Sequence, residues 1–225
     1  MRAGMKTGSV FRPALVVTVC TILLALPGCR IVSDDQRAKV AASGQDNFDA
    51  GKYVDAMWSS KVMPFFAGKA VDLAPVIEAL KKDPDAAGKQ YGHRADAEGS
   101  PWSFAVKGKG TVDSVNTESR AGAVVVDLPV GAASEKVTLQ VGPVVRGTAI
   151  RDSLPFFSFG DVTNQIQFAQ IGRSLNDRAV AAVHPNVGKL AAGTVVEFTG
   201  AMSVSGAVTT FTVTPVALTP AGSPP

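Results

Sequence analysis

The stretch AVVVDLPV, residues 123–130, is rich in β-branched side chains, and KVTLQV, residues 136–141, alternates apolar with polar residues at a period of two. Both patterns predict β-strands. Three more segments have the same texture and are predicted strands: residues 102–115, 194–202 and 208–218. The first of these contains Gly108 and Gly110, which suggest a bulge or a sharp coil. The C-terminal half of the chain is therefore predicted to be rich in strands.

A helix is predicted between the third and fourth of these strands. Residues 142–185 form a long middle segment whose second half has helical spacing. Three strands, a helix and two strands is the element order of the OB-fold, a small five-stranded barrel. We therefore predict an α+β protein in which residues 99–219 form a five-stranded OB-like antiparallel β-barrel with a helix between strands 3 and 4. Another α+β domain with an antiparallel sheet is the alternative.

A helical region, residues 29–98, is predicted before the barrel. Asp72 and Asp83 are expected to cap two short helices there, with Pro84 at the first position of the second. After the barrel, residues 220–225 are a predicted disordered tail. In the first helix, apolar residues at helical spacing predict one buried stripe, formed by Tyr53/Val54, Met57/Trp58, Val62 and Phe65/Phe66.

The first 28 residues are predicted to be an export signal. A largely apolar run, residues 14–26, follows three basic residues, Arg2, Lys6 and Arg12. The run ends in Leu26-Pro27-Gly28-Cys29, which resembles the lipobox of bacterial lipoproteins, although Pro27 departs from the usual Ala, Ser or Thr. In such a signal the thiol of Cys29 accepts a diacylglyceryl group. The alternative is an uncleaved membrane helix over residues 13–29, at the lower limit of the length that spans a bilayer.

Removal of the signal changes both the charge and the thiol content. The chain carries 22 Lys+Arg and 19 Asp+Glu, and residues 1–28 hold three of the basic residues and no acidic one. A mature chain near neutrality loses the main support for binding nucleic acid, which depends on neutralising several phosphates. Cys20 leaves with the signal and Cys29 becomes a thioether, which excludes disulfides, cysteine metal sites and thiol catalysis.

Arginine, amide and carboxylate side chains are concentrated between Arg146 and Arg178. In one interpretation they converge on a small polar ligand such as a sugar, because guanidinium and amide groups offer paired hydrogen bonds. In the other, they tie the long middle segment to the barrel and to the helical region, because buried backbone needs hydrogen-bond partners. The candidate residues are Arg146, Arg151, Asp152, Asn164, Gln165, Arg173, Asn176, Asp177 and Arg178.

The helix in this region is predicted to begin after Gly160-Asp161, which looks like a loop ending in a helix cap. At about 100° per residue, Ile166 lies on the same face as Val162, while Asn164 and Gln167 lie on a more polar side.

Signatures of catalysis and of cofactor binding are absent from the sequence. His93 and His184 are 91 residues apart and fit no zinc-ligand spacing. Gly108-Lys109-Gly110 lacks the third glycine of a dinucleotide motif, and there is no P-loop and no G-x-S-x-G elbow. We therefore expect a non-enzymatic protein with no metal and no cofactor.

Several stretches resemble a single family. They are Tyr53-Val54-Asp55 with Pro64-Phe65-Phe66, DAAGKQYG at 85–92, VNTESRAG at 115–122, GPVVRGT at 142–148, and Ile150-Arg151-Asp152, Thr163-Asn164-Gln165-Ile166 and Leu175-Asn176-Asp177-Arg178. Over essentially the whole mature chain they resemble the predicted periplasmic lipoproteins of domain of unknown function 2291. The resemblance implies a cell-envelope protein held by lipid on the periplasmic side of a membrane. Members of the family tend to accompany sugar-type ABC transport systems, which implies an accessory role in solute uptake.

Two functions fit these observations best, and a third, an enzyme, would need carboxylates such as Asp152 and Asp161 to be brought together in a cleft. The first is a membrane-tethered accessory or solute-binding protein, with ABC transporter components or a small sugar as partners and with no role for nucleic acid. The alternative is a structural or interaction lipoprotein that docks another envelope protein through the barrel or through the helix that spans Tyr53 to Phe66.

Replacing Cys29 with Ala should leave an unprocessed precursor and abolish labelling by radioactive palmitate, because the acceptor thiol is gone. Replacing Cys20 with Ala is the control, since that residue leaves with the signal, and labelling should persist. Unchanged labelling of the Cys29→Ala chain would overturn the assignment.

Overall fold

A computed structural model describes residues 48–94 and 99–221. The predicted signal, Cys29 and the last four residues therefore lie outside the described residues. The described chain from Phe48 onward belongs to one compact unit. The two described residues of the predicted tail belong to the sheet region, because the last strand runs to Pro220 and the Ala221 N–H donates to the Val195 carbonyl at 2.7 Å.

The first helix buries most of the predicted apolar stripe and contains a π-turn, but Tyr53 was wrongly included in the stripe, because its side chain is exposed. Helix α1 (Ala50–Met57) passes through the π-turn (Trp58–Val62) into α2 (Met63–Lys69). Side chains spaced by four residues drift about 40° per turn around a straight α-helix. The wider π-turn takes up part of this drift. As a result one face buries Val54, Trp58, Val62 and Phe66.

Asp49 forms the cap of the first helix. Its carboxylate accepts a hydrogen bond from the Lys52 backbone N–H at 3.0 Å. This hydrogen bond lowers the pKa of Asp49, because it favours the charged carboxylate.

Two short helices follow, as predicted from their caps. After β1 (Val71–Asp72) come α3 (Leu73–Lys82) and α4 (Pro84–Tyr91). Asp83 accepts hydrogen bonds from the backbone N–H groups of Asp85 and Ala86, and Pro84 occupies the first turn. Asp72 stands at the N-cap of α3, but its side chain makes no capping hydrogen bond. The aspartates therefore correctly predicted where both helices begin, but only the Asp83 carboxylate caps its helix by hydrogen bonds.

Five long strands pair in a ring. They are β2 (Trp102–Asn116), β3 (Ala123–Val130), β4 (Ala133–Gln140), β5 (Val195–Val204) and β6 (Phe211–Pro220). Their order is β2-β3-β4-β6-β5, and β5 pairs back onto β2. The predicted α+β class is confirmed. The sheet has six strands instead of the expected five, because the two-residue β1 adds to β2, and the β1–β2 and β4–β6 ladders are parallel where an antiparallel sheet was expected.

The two glycines in β2 allow close packing. The strand continues through Gly108 and Gly110, and its irregularity lies further on, between Val112 and Ser114, so the predicted position of the bulge is wrong. A Cβ on Gly110 would lie 2.5 Å from a backbone oxygen of the neighbouring strand, and one on Gly108 would lie 2.6 Å from the Phe198 ring. Glycine is needed because neighbouring atoms fill the space that a side chain would take.

The segment between β4 and β5 contains three helical pieces: α5 (Ala149–Asp152), a 3₁₀ turn (Phe159–Asp161) and α6 (Gln165–Val187). Asp161 caps the 3₁₀ turn together with Ser158, and Asn164 caps α6, so the predicted cap at Gly160-Asp161 is three residues too early. Ile166 is exposed and Gln167 is buried, which reverses the predicted faces at the start of this helix.

Helix α6 contributes to two hydrophobic cores. Its C-terminal half inserts Val183 and Val187 into the core inside the strand ring, which α3 also enters. Its first two thirds pack Ile171, Leu175 and Ala179 against the first helix in a second core. The helical region is thereby joined to the sheet through one long element. None of the described helices combines the length and the apolar character that crossing a bilayer requires.

Replacing Gly88 in α4 with Ala should destabilise the protein by roughly 1–3 kcal/mol. An added Cβ would lie 2.2 Å from the Trp102 indole, whose N–H also donates to Asp85. Gly68→Ala is the matched control, because that helical glycine has open space around it, and it should stabilise by about 0.5–1 kcal/mol. Denaturant unfolding measures both. Equal effects of the two substitutions would contradict the packing argument.

Candidate functional site

The nine polar residues singled out in the sequence do not converge on one cavity. Arg146 lies at the rim of a cleft on the sheet. The other eight lie along α5 and α6, where they bond to neighbouring backbone and side chains or extend from the surface. The division follows from the chain path, because α6 carries its residues away from the strand ends.

Arg151 is almost fully engaged within the protein. Its side chain is 11% exposed, and its guanidinium contacts the Asp152 carboxylate at 2.7 Å, donates to the Phe168 carbonyl at 3.2 Å and lies 3.7 Å from the centroid of the Phe168 ring. A third hydrogen bond reaches the Thr148 hydroxyl at 3.2 Å. A guanidinium with these partners fastens α5 to the first turn of α6.

Three other candidates also bond within the fold. The Asn164 side chain accepts from the Gln167 N–H at 2.9 Å and so caps α6. Asp152 accepts from the Thr148 hydroxyl at 2.6 Å in addition to its pairing with Arg151. Asn176 is buried and donates to the Gly147 carbonyl at 2.9 Å, while its side-chain oxygen has no protein partner.

The remaining candidates are on the surface. Arg178 pairs with Asp55 at 3.4 Å and lies 5.8 Å from the Trp58 ring, which links α6 to α1. Gln165, Arg173 and Asp177 are exposed. None of these three lines a cavity among the residues that the structure describes.

The cleft beside Arg146 has a volume of about 500 Å³. This is within the range of small-molecule sites. It opens where β3, β4, β5 and β6 come together with the start of α5. Its polar lining consists of Thr138, Gln140, Arg146, Thr148, Ser203, Thr212 and Thr214, and Ala121, Ala123, Gly147 and Ala149 complete it.

The parallel β4–β6 ladder assembles the floor of the cleft. Thr138 and Thr212 are register partners in it. Because side chains two residues apart share one face of a strand, Gln140 and Thr214 extend the same polar face. The hydroxyls of Thr138 and Thr212 have no hydrogen-bond partner in the described part of the chain, so they are available to a ligand.

Gln140 holds Arg146 in place by its backbone. The amide oxygen accepts from the Arg146 N–H at 2.9 Å, and the amide nitrogen donates to the Arg146 carbonyl at 3.1 Å and to the Thr214 hydroxyl at 3.1 Å. Gln140 therefore positions the rim of the cleft, and its amide N–H groups already have acceptors within the protein. The Arg146 guanidinium forms no ion pair with any described residue, which leaves its charge available.

The groups that line the cleft can form hydrogen bonds to a polar molecule. Its described lining contains hydroxyl, amide and guanidinium groups, and no carboxylate, histidine or cysteine. Hydroxyls and a guanidinium can donate to ring and hydroxyl oxygens of a polar solute, and the hydroxyls can also accept. A general acid or base with a pKa near neutrality is not among the lining residues.

Other charged and titratable groups pair with one another away from the cleft. On the sheet, Lys109 pairs with Glu197 at 2.8 Å and Lys107 approaches Asp72 at 4.0 Å. Hydrogen bonds to Asp113 and Asp127 raise the pKa of Lys136. In residues 48–94 and 99–221, no three His, Cys, Asp or Glu side chains group as metal ligands.

Sequence reasoning missed the threonines of the cleft. Thr138 and Thr212 are separated by 74 positions, and each looks like an ordinary solvent-facing strand residue. The sequence indicated a polar strand face only through polar residues spaced by two, in Thr138/Gln140 and in Thr212/Thr214. This spacing becomes informative once the two strands are known to pair.

Comparisons with known proteins give a family and a fold. The family described as "Predicted periplasmic lipoprotein (DUF2291)" matches residues 19–219. The crystal structure of an OB-fold protein from Thermotoga maritima MSB8 superposes with a TM-score of 0.65 at 15% sequence identity, covering 76% of this chain and 97% of that one. The α+β fold with an OB-like sheet is thereby supported. No curated protein matches the chain.

Replacing Arg151 with Ala should destabilise the protein by roughly 3 kcal/mol, because Asp152 and the Phe168 carbonyl lose a buried partner. Arg173→Ala on the exposed face of α6 should change stability by less than about 0.5 kcal/mol. Thermal and denaturant unfolding measure both variants. A near-neutral Arg151→Ala would contradict the fastening role.

Proposed function

Because the chain belongs to the predicted periplasmic lipoproteins of family DUF2291, we propose that it is anchored through Cys29 and binds a small polar solute as a non-enzymatic accessory of uptake. Lipoprotein character and a place in the cell envelope follow from the family. The anchoring residue, the solute and the uptake partner are the proposal.

Support for Cys29 comes from its position in the sequence. It ends the apolar run and is preceded by a glycine, as the lipobox chemistry requires. Two or more acyl chains, at about 0.8 kcal/mol per buried CH₂, hold a protein on a membrane stably.

The single observation that supports solute binding is the cleft. Unsatisfied hydroxyls on Thr138 and Thr212 face the same space as the unpaired guanidinium of Arg146. This combination suits a sugar or a sugar acid, whose hydroxyl and carboxylate oxygens are acceptors for these donors. The absence of carboxylate and histidine from the described lining supports binding without turnover.

An accessory role beside a sugar-type ABC transporter is part of the same proposal. It rests on the tendency of family members to accompany sugar-type ABC transport systems. The cleft provides a site whose groups could bind a sugar. Membranes that carry the native protein should yield transporter components when the protein is captured under mild detergent. Capture of a wall or assembly factor without a transporter would favour the alternative of a structural lipoprotein.

Millimolar concentrations of the correct sugar should raise the melting temperature of the mature lipoprotein in detergent, because a ligand at 100 times its Kd stabilises by about 2.7 kcal/mol. Replacing Arg146 with Met should raise Kd about tenfold to hundredfold, since a hydrogen bond to a charged group is lost.

The control for this experiment is Arg173→Met, which changes an exposed arginine outside the cleft and should leave Kd unchanged. A panel of neutral sugars and sugar acids with no shift, or an equal loss in both variants, would refute binding at the cleft.

A further inference from the structure

Seven aromatic rings meet on the surface where the first helix packs against the connection between α5 and α6. We call this group the aromatic patch. Its ring contacts run from Phe48 to Tyr53 at 5.9 Å, from Tyr53 to Phe157 at 6.1 Å and from Phe157 to Phe168 at 5.8 Å. Phe159 contacts Phe168 at 5.5 Å, and Phe65 contacts Phe156 at 5.9 Å. The members are Phe48, Tyr53, Phe65, Phe156, Phe157, Phe159 and Phe168.

The aromatic patch is partly open to its surroundings. Tyr53, Phe156 and Phe159 are 37%, 38% and 46% exposed, and Ile166, two positions before Phe168 on α6, is 59% exposed. These are four of the six large apolar side chains that are exposed in the described chain. Single exposed apolar residues are normal on a protein, whereas a concentration of this kind indicates a contact surface.

The aromatic patch is held rigidly from behind. The Arg151 guanidinium lies on the Phe168 ring and is itself bonded to Asp152, and Phe157 is stacked on the same ring. The buried Phe66 supports Phe65 from the core at 5.3 Å. The surface is therefore preformed, and contact with it costs little side-chain entropy.

The aromatic patch is close in sequence to the proposed anchor residue, Cys29. Phe48 is both the first described residue and a member of the aromatic patch, and Cys29 is 19 positions earlier. A chain of that length reaches at most about 65 Å when fully extended. The aromatic patch is consequently the part of the described fold nearest along the chain to the acylated residue.

A basic side chain at the edge of the aromatic patch, Lys61, suits a lipid headgroup region. Lys61 shares a shallow pocket of about 240 Å³ with Tyr53, Phe156 and Phe157. A lysine stem can lie along such rings while its ammonium reaches phosphate oxygens. Aromatic rings with a polar neighbour concentrate at the membrane–water interface, where one side is apolar and the other is wet.

We propose that the aromatic patch rests in the headgroup region of the membrane that holds the acylated Cys29, with Tyr53, Phe156, Phe159 and Ile166 as its contacts. This inference rests on the proposed anchoring through Cys29. The acyl chains supply the affinity, and the aromatic patch fixes how the fold is oriented on the bilayer.

The test uses the full lipoprotein in vesicles of phosphatidylethanolamine with a minority of phosphatidylglycerol. An introduced cysteine would be the only free thiol of the mature chain, since Cys20 is removed and Cys29 is acylated. Nitroxide labels are attached in the Phe159→Cys and Ile166→Cys variants, and in a Ser134→Cys control on the exposed part of β4. Spin relaxation by lipid-soluble oxygen and by an aqueous nickel complex then measures the depth of each label.

Both labels in the aromatic patch should show a higher oxygen-to-nickel accessibility ratio in vesicles than the Ser134→Cys label. Adding Phe156→Ser to the Ile166→Cys chain should lower its ratio towards the control.

Aqueous ratios at all three positions in vesicle-bound protein would overturn the proposal. Dipolar broadening between labels on two copies would overturn it in favour of a dimer. Shielding from both reagents, with and without vesicles, would overturn it in favour of coverage by the chain itself.

These outcomes are distinct from failure of the anchor. If Cys29 is not acylated, the protein does not float with vesicles and carries no palmitate. Anchored protein with aqueous labels contradicts the orientation alone.

Discussion

The closure of the strand ring by β2 is the constraint on which the rest of the structure depends. One half of this strand, Trp102 to Thr111, pairs with β5, and the other half, Thr111 to Asn116, pairs with β3. Because β2 pairs with two strands, its backbone passes very close to neighbouring atoms at Gly108 and Gly110. With β2 shared in this way, β4 and β6 complete the ring between β3 and β5, and α6 carries the chain from β4 across to β5.

The cleft follows from how the ring is completed. The β4–β6 ladder is parallel and short, with register partners only from Val137 to Leu139. Beyond it the two strands are no longer paired with each other, and Gln140 uses its side chain to hold the backbone of Arg146 beside the opening. A polar hollow thus forms where the strand ring is least regular, which is where backbone and side-chain groups remain available to a ligand.

The strands were predictable because their pattern is local. The predicted segment 123–130 coincides with β3, and the predicted ends of the other strands are within about three residues of those observed. The four-residue spacing of Val54, Trp58, Val62 and Phe66 was also visible, although the π-turn that accommodates it was not predicted. The cleft could not be predicted, because Thr138 and Thr212 meet only through a long-range register. Arg151 was identified as a candidate for the polar cluster. Its burial depends on the folded positions of Asp152, Thr148 and Phe168 around it, and the amino-acid composition of the segment does not show that these residues surround Arg151.

Arg151 connects the cleft to the aromatic patch. Thr148, which lines the cleft, bonds to the same guanidinium that lies on Phe168 in the aromatic patch. A ligand that moved the Thr148 hydroxyl would therefore disturb the support of the rings. Thermodynamic linkage is reciprocal, so contact at the rings would change the affinity of the cleft by the same factor. Under the two proposals taken together, the affinity of the cleft for a solute would differ between protein whose aromatic patch contacts a membrane and protein whose patch does not.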